Sequence, residues 1–311
     1  MTADASTPGR STRSRLALGS CPDSWGVWFA DDPNQTPWPR FLDELAEAGY
    51  KWVELGPYGY LPTDPARLRE EVDRRGLKVS GQAVFGGLHD AARWDGDLAG
   101  ARATAELVRA LRGSYVVLLP DDAGPNPPEL TDEQWQTLLD ATNRLGRVLR
   151  DDYGLTAVFH PHADSHVGTQ AQIERFLEGT DPQAVGLCMD TGHIAYYDGD
   201  NVELIRRYPE RIQYLHIKQV DPEVIEQVRA EDLDFGQAVR RGVMVEPPLG
   251  VPAVEPILDA LDRYVDRGLF MIGEQDLYPC EPDVPLPIAK RTHEYLRKVG
   301  VGTAEAKEEE L

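Results

Sequence analysis

GLCMDTGH, residues 186–193, decides how this chain is read. It is a short apolar run that ends on a carboxylate, Asp190, with Gly192 and the imidazole of His193 directly behind. Three other apolar runs in the second half of the chain end in the same manner. Residues 156–160 (TAVFH) end on His160, with His162 two positions on; 212–216 (IQYLH) end on His216; 269–274 (LFMIGE) end on Glu274. Short apolar runs bounded by turn residues read as buried strands. In a parallel α/β barrel all strands run the same way, so their last residues converge on one rim, where such barrels keep their chemistry. Imidazoles and carboxylates meeting there make a site for a hard or borderline divalent ion. Taken singly, a strand-end aspartate caps the next helix and a histidine is a hydrogen-bonded core residue. Capping does not account for four successive strands ending on ligand types. The run of residues leaves the fourth ligand open between His160 and His162.

Outward from that stretch, apolar runs at 16–20, 52–55, 78–83 and 115–119 supply four earlier strands. Helical spacing of apolar residues predicts helices over 37–48, 65–75, 96–112, 131–150, 169–178, 201–208 and 284–299. The first two stop at Gly49 and Gly76, residues suited to a helix C-terminus. Eight strand–helix alternations predict a single (β/α)8 TIM barrel. A doubly wound open sheet is the alternative, but no glycine-rich phosphate loop follows the first strand. Residues 220–256 break the beat with an extra helix over 221–241 and a proline-rich loop, EPPLGVP at 246–252, between strands seven and eight. Following His216, this insert is placed as a lid or an oligomer contact. The predicted organisation is a polar, disordered lead-in at 1–15, the barrel at 16–299 and an acidic, disordered tail at 300–311.

The chain has 311 residues and a net charge of -21, which repels nucleic acid and anionic membrane surfaces. No apolar run approaches the ~18 residues of a membrane span. Cys21, Cys188 and Cys280 are widely spaced, which suggests neither a disulfide framework nor a zinc knuckle, and predicts the reduced thiols of a cytoplasmic protein. Other rim residues have roles to offer. Glu54 ends the second strand and is placed to hydrogen-bond a substrate; Trp25, Trp28 and Tyr58 offer apolar walls for the C–H face of a ring. His166 follows strand five and His89 strand three, while His293 falls on the last helix and reads as structural.

Five motifs in order, SCPDSWGVW (20–28), VELGPYGY (53–60), DTGH (190–193), HIK (216–218) and EQD (274–276), resemble the sugar phosphate isomerase/epimerase superfamily of xylose-isomerase-like barrels. Within it they are most similar to the inosose dehydratase branch. The resemblance implies a divalent ion (manganese or cobalt, with zinc or magnesium as alternatives) held by side chains of the last four strands, with Asp190, His216 and Glu274 at the family's ligand positions and His160 expected as the fourth. It implies that His193 contacts substrate hydroxyls and that Lys218 is the lysine of the dehydratase branch. Three departures stand out: His160 occupies a position where many relatives have a glutamate, Gln219 one where an aspartate is usual, and PLGVPA (248–253) replaces a glycine-rich loop.

The predicted chemistry is that of a metal-dependent lyase. A metal-polarised ketone of a keto-cyclitol or keto-sugar loses its α-proton to give an enediolate. Loss of a β-hydroxyl or β-alkoxide then gives dehydration, as with an inosose, or cleavage of a 3-keto-glycoside. His160 or His162 serves as a neutral base, Lys218 as the donor to an oxygen, and Glu274 as ligand or as ligand and base. The alternatives are a ketose isomerase or epimerase, and the barrel subunit of a hetero-oligomeric enzyme. The expected partners are a small keto-sugar or keto-cyclitol and further copies of the chain, without nucleic acid or membrane.

Overall fold

The structure is a computed structural model that describes residues 11–121, 123–124 and 127–303. Its strands are β1 (Ala17–Ser20), β2 (Trp52–Glu54), β3 (Lys78–Gly86), β4 (Tyr115–Pro120), β5 (Thr156–Phe159), β6 (Val185–Asp190), β7 (Ile212–Ile217), β8 (Gln219–Val220), β9 (Met244–Val245) and β10 (Phe270–Gly273). Eight of them close a barrel in the order β1-β10-β7-β6-β5-β4-β3-β2, every pairing parallel, while β8 and β9 form a separate antiparallel pair. This is the predicted (β/α)8 barrel, with helices between successive strands covering its outside.

Period-two alternation sorts the strand residues between two cores. One face of each strand packs outward against helices, as Val53, Val116, Leu187, Leu215 and Met271 do. The other face fills the barrel with Ala17, Cys21, Val117, Val158, Cys188, Tyr214, Phe270 and Ile272. At the N-terminal mouth four aromatic rings interlock: Trp52 meets Phe270 at 4.8 Å, Tyr115 meets Tyr214 at 5.1 Å and Tyr214 meets Phe270 at 5.8 Å. The Tyr214 hydroxyl lies 2.7 Å from Ser80 Oγ, so this polar end is satisfied inside the barrel. Above these rings the same inward faces carry His216, Asp190 and Glu274. Register places Asp190 level with His216 and His216 level with Ile272, so that Glu274, two residues past Ile272, projects from the inward face.

The structure differs from the sequence reading in the insert. The single helix expected over 221–241 is two helices, Pro222–Glu231 and Phe235–Arg240. Asp232 takes a left-handed conformation at the end of the first, and Asp234 opens the second through a capping box with Gln237. The barrel helix that follows, Val254–Tyr264, escapes the sequence reading because no side chain caps its N-terminus and a proline-rich run precedes it. Residues 1–10 and 304–311 lie outside the described residues. Within the expected lead-in, Thr12–Arg15 form a 3-10 turn, and Arg13 pairs with Asp259 and Asp262 of that same helix. Among the described residues, no helix is long and apolar enough to cross a membrane.

The aromatic layer yields a graded prediction. Tyr214→Ala opens a cavity in the barrel and lowers stability by about 3–5 kcal/mol. Tyr214→Phe costs only about 1 kcal/mol, because Ser80 Oγ keeps its bond to the Val53 carbonyl at 3.2 Å. Urea denaturation of the two variants checks the order, and equal losses would contradict the packing role.

Candidate metal centre

The C-terminal ends of β5, β6, β7 and β10 deliver His160, Asp190, His216 and Glu274 to one place. One ligand atom from each lies within 4.8 Å of the others, and all four side chains are buried. His160 Nε2 is 3.2 Å from His216 Nδ1 and 3.4 Å from Asp190 Oδ2, and His216 Nδ1 also touches a carboxylate oxygen of Glu274. The other side of the His216 ring is fixed by Glu54, whose Oε2 stands 3.0 Å from His216 Nε2. Asp190 divides its work. Its Oδ1 accepts from the Gly192 and His193 amides, both at 2.8 Å, which caps the short helix Thr191–Tyr196 and fixes the carboxylate plane. Its Oδ2 faces His160 Nε2 and Lys218 Nζ, both at 3.4 Å, and the Glu274 oxygen that meets His216 Nδ1 is Oε2; both oxygens are buried.

Buried carboxylates are costly without compensating positive charge. Here Asp190 Oδ2 and Glu274 Oε2 face a pair of imidazole nitrogens across the centre of the quartet. Two imidazole nitrogens and two carboxylate oxygens form the donor set of a divalent cation, so the residues fit such an ion.

Lys218 flanks the quartet. Its side chain is wholly buried, and Nζ donates to Asp276 Oδ2 at 2.7 Å while standing 3.2 Å from Glu274 Oε1 and 3.4 Å from Asp190 Oδ2. The glycine of DTGH makes this possible: a Cβ on Gly192 would stand 2.6 Å from Lys218 Cγ. Burial opposes the charge on Lys218, but Asp190, Asp276 and Glu274 overrule it and hold the ammonium well above its usual pKa. Burial likewise raises the Glu274 carboxyl, and His216 and Lys218 reverse this, holding it down to about 2.

His162 and His193 stand beside the quartet with ring centroids 3.9 Å apart. His162 Nδ1 lies 2.7 Å from the Ala163 carbonyl, so that nitrogen carries the proton and Nε2 keeps its lone pair. Burial first, then the neighbouring His160 and Lys218, pushes His162 down to about 3. His193 Nε2 is 3.1 Å from Lys218 Nζ. Phe235 of the insert covers both rings at 5.0 and 5.1 Å, and Trp28 stacks on Phe235 at 6.0 Å. Asp164 holds the insert there by accepting from the Phe235 amide at 2.6 Å.

Several sequence expectations resolve against this geometry. Between the two candidates for the fourth ligand, His160 sits in the quartet, whereas His162 stands beside it. Glu54 and His193 are at the centre. Trp25 is not a wall of the site: it is fully buried, packs on Phe41 at 5.0 Å, and gives its indole N–H to Glu44 at 2.9 Å. Its place is the interface with the helix Trp38–Glu47. Tyr58 is 41% exposed in the turn after β2. His89 and His166 pair with each other at 4.7 Å away from the quartet, and His293 packs on Tyr50 at 5.0 Å. Asp276 and Phe235 went unread as site residues. Asp276 had a signal, since it stands two residues after Glu274 and so on the same face; Phe235 had none, because its position depends on how the insert folds. The departures at Gln219 and 248–253 belong together. Gln219 donates to the Pro252 carbonyl at 2.6 Å and accepts from the Gly250 amide at 3.0 Å, bracing the loop that replaces the glycine-rich one.

The family description "Xylose isomerase-like TIM barrel" matches residues 42–283. The chain is 34% identical over 272 residues to a protein of Geobacillus kaustophilus (strain HTA426) named inosose dehydratase, covering 84% of this chain and 86% of that one. An inosose dehydratase of Geobacillus thermodenitrificans (strain NG80-2) is 29% identical over 306 residues, covering 91% and 97%. Among solved structures, the IOLI protein with a bound zinc atom superposes with a TM-score of 0.69 at 17% identity, covering 90% of this chain and 98% of that one. The probable 3-DHS dehydratase AsbF of Bacillus anthracis gives 0.68 at 13%, covering 91% and 98%. At these identities the two structures speak for the fold.

The neutral, buried His162 predicts a pH dependence. Its folded pKa of about 3 lies below the ordinary value of 6.5, so between these the unfolded chain binds the extra proton and stability falls as pH falls. His162→Gln removes this contribution. The loss of stability between pH 7.5 and pH 5 should shrink by about 2 kcal/mol relative to the parent. Denaturation curves at the two pH values measure it, and an unchanged difference would mean that His162 is protonated in the folded protein.

Proposed function

The chain belongs to the xylose isomerase-like TIM barrel family, and on that premise we propose that it is a divalent-metal-dependent dehydratase of a keto-cyclitol such as 2-keto-myo-inositol. The observation that carries this reading is the wholly buried Lys218 ammonium, held by Asp276 against the edge of the His160, Asp190, His216 and Glu274 quartet. Relatives named inosose dehydratase support the substrate class. The quartet holds the ion in this proposal, manganese or cobalt in preference to zinc or magnesium. When bound, the ion supplies Lewis acidity that draws electron density from a substrate carbonyl.

The chain's own residues do the rest. Dehydration breaks a C–H bond next to the carbonyl and a C–O bond one carbon further, forms a C=C bond, and releases the hydroxyl with a proton as water. His162 accepts the carbon-bound proton at Nε2, its tautomer set by the Nδ1–H bond to Ala163. Lys218 delivers a proton to the departing hydroxyl, and Asp276 keeps its Nζ in place at 2.7 Å. Glu54 orients the His216 ring from outside the quartet. Phe235 and Trp28 lay an apolar surface beside these groups, suited to the C–H face of a cyclitol ring. The enol product tautomerises to a diketone.

Incubation with 2-keto-myo-inositol and manganese or cobalt should therefore give a product with new ultraviolet absorbance. Lys218→Met and His162→Gln should each lower turnover by about 10²–10⁴-fold while metal stays bound. Rapid epimerisation of free fructose or tagatose, with no elimination from the keto-cyclitol, would replace this reading with the epimerase one.

A further inference from the structure

One layer below the quartet, the inward face of β6 carries Cys188, two residues before Asp190. Its sulfur belongs to a second donor group, His160, Cys188 and His216, whose ligand atoms again lie within 4.8 Å of one another. All three side chains are buried, and His160 Nδ1 is a buried ring nitrogen with no hydrogen-bond partner. The two imidazoles are thus common to two donor sets: an upper one completed by the carboxylates of Asp190 and Glu274, and a lower one completed by a thiol.

We propose that His160, Cys188 and His216 form a second, softer metal site inside the barrel, which takes thiophilic divalent ions such as cadmium and zinc and competes with the upper site for its two histidines. This rests on the metal reading of the rim and adds a selectivity device to it. Carboxylate and imidazole donors suit manganese, magnesium and cobalt, whereas thiolate with two imidazoles is a soft set that favours cadmium and zinc. Occupation of the lower set converts the Cys188 thiol to a thiolate, its proton leaving to solvent, and any proton held by the two imidazoles at their ligating nitrogens leaves with it. The ligand change also moves the ion away from Asp190 and Glu274. A thiophilic ion so held does not leave the two rings free to serve the upper site. The barrel interior around Cys188 is otherwise apolar, with Val158, Tyr214 and Ile272 in the same cluster, and the thiol's polar contact is with the His216 ring of the same donor set.

The test uses the full chain stripped of metal with a chelator, then titrated separately with cadmium chloride and manganese chloride. Cadmium should produce a sulfur-to-metal charge-transfer band in the ultraviolet that saturates at one ion per chain. Cys188→Ala should abolish the band and weaken cadmium binding about tenfold or more, yet leave manganese affinity, read by electron paramagnetic resonance, within about twofold. Cys188→Ser serves as a second variant if the alanine form does not fold, and Cys21→Ala, which alters the other buried thiol of the barrel, should keep the band. Cadmium bound without a charge-transfer band, or a band that survives in Cys188→Ala, would overturn the soft site while manganese binding leaves the upper site standing. Failure of the parent chain to bind either ion would overturn both.

Discussion

The structure turns on negative charge gathered where water is scarce. Glu54, Asp190, Glu274 and Asp276 are all buried on one rim of the barrel, and Lys218 is the one ammonium among them. Four carboxylates against one ammonium leave a deficit that the interior does not tolerate without protons or a further cation. Absent an ion, the electrostatics fall back on protons. His216 is held charged well above its usual pKa: burial opposes the charge, and Cys188, Glu274 and Glu54 overrule it. Asp276 is pushed upward by burial, against the pull of Lys218. A divalent cation among His160, Asp190, His216 and Glu274 would relieve the same deficit, with Asp190 Oδ2 and Glu274 Oε2 already facing the imidazole nitrogens that would share it.

The fold positions this charge through plain strand geometry. Parallel strands of a closed barrel present their last inward residues at one level, so register alone brings Asp190 beside His216 and sets Glu274 nearby. Beneath them the aromatic rings of Trp52, Tyr115, Tyr214 and Phe270 plug the opposite mouth. The quartet therefore rests on a packed floor, which limits its freedom to relax when an ion is lost.

Residues that end strands were the ones legible in the sequence, because a short apolar run announces both the strand and its last residue. His160, Asp190, His216, Glu274 and Glu54 are all of that kind, and Lys218 follows within two residues of one. What lay beyond the strands was harder to read. Trp25 looked like a rim aromatic, but it is drawn into the core by Phe41 and by Glu44, whose positions depend on how the first helix docks. Phe235 reaches the site only because the insert folds as two capped helices and Asp164 anchors the second. Gln219 and the loop at 248–253 look like unrelated departures from a family pattern, and only the two hydrogen bonds between them show a single change. Long-range packing of this sort leaves no period in the sequence.

The claim on which this account stands is that the buried quartet holds a divalent ion. Metal content of the purified chain, measured beside Asp190→Ala and His216→Ala, tests it most directly. The account predicts about one ion per parent chain, with ligand distances of about 2.0–2.3 Å by X-ray absorption, and near-complete loss of the ion in both variants. Full metal stoichiometry in both alanine variants would contradict it.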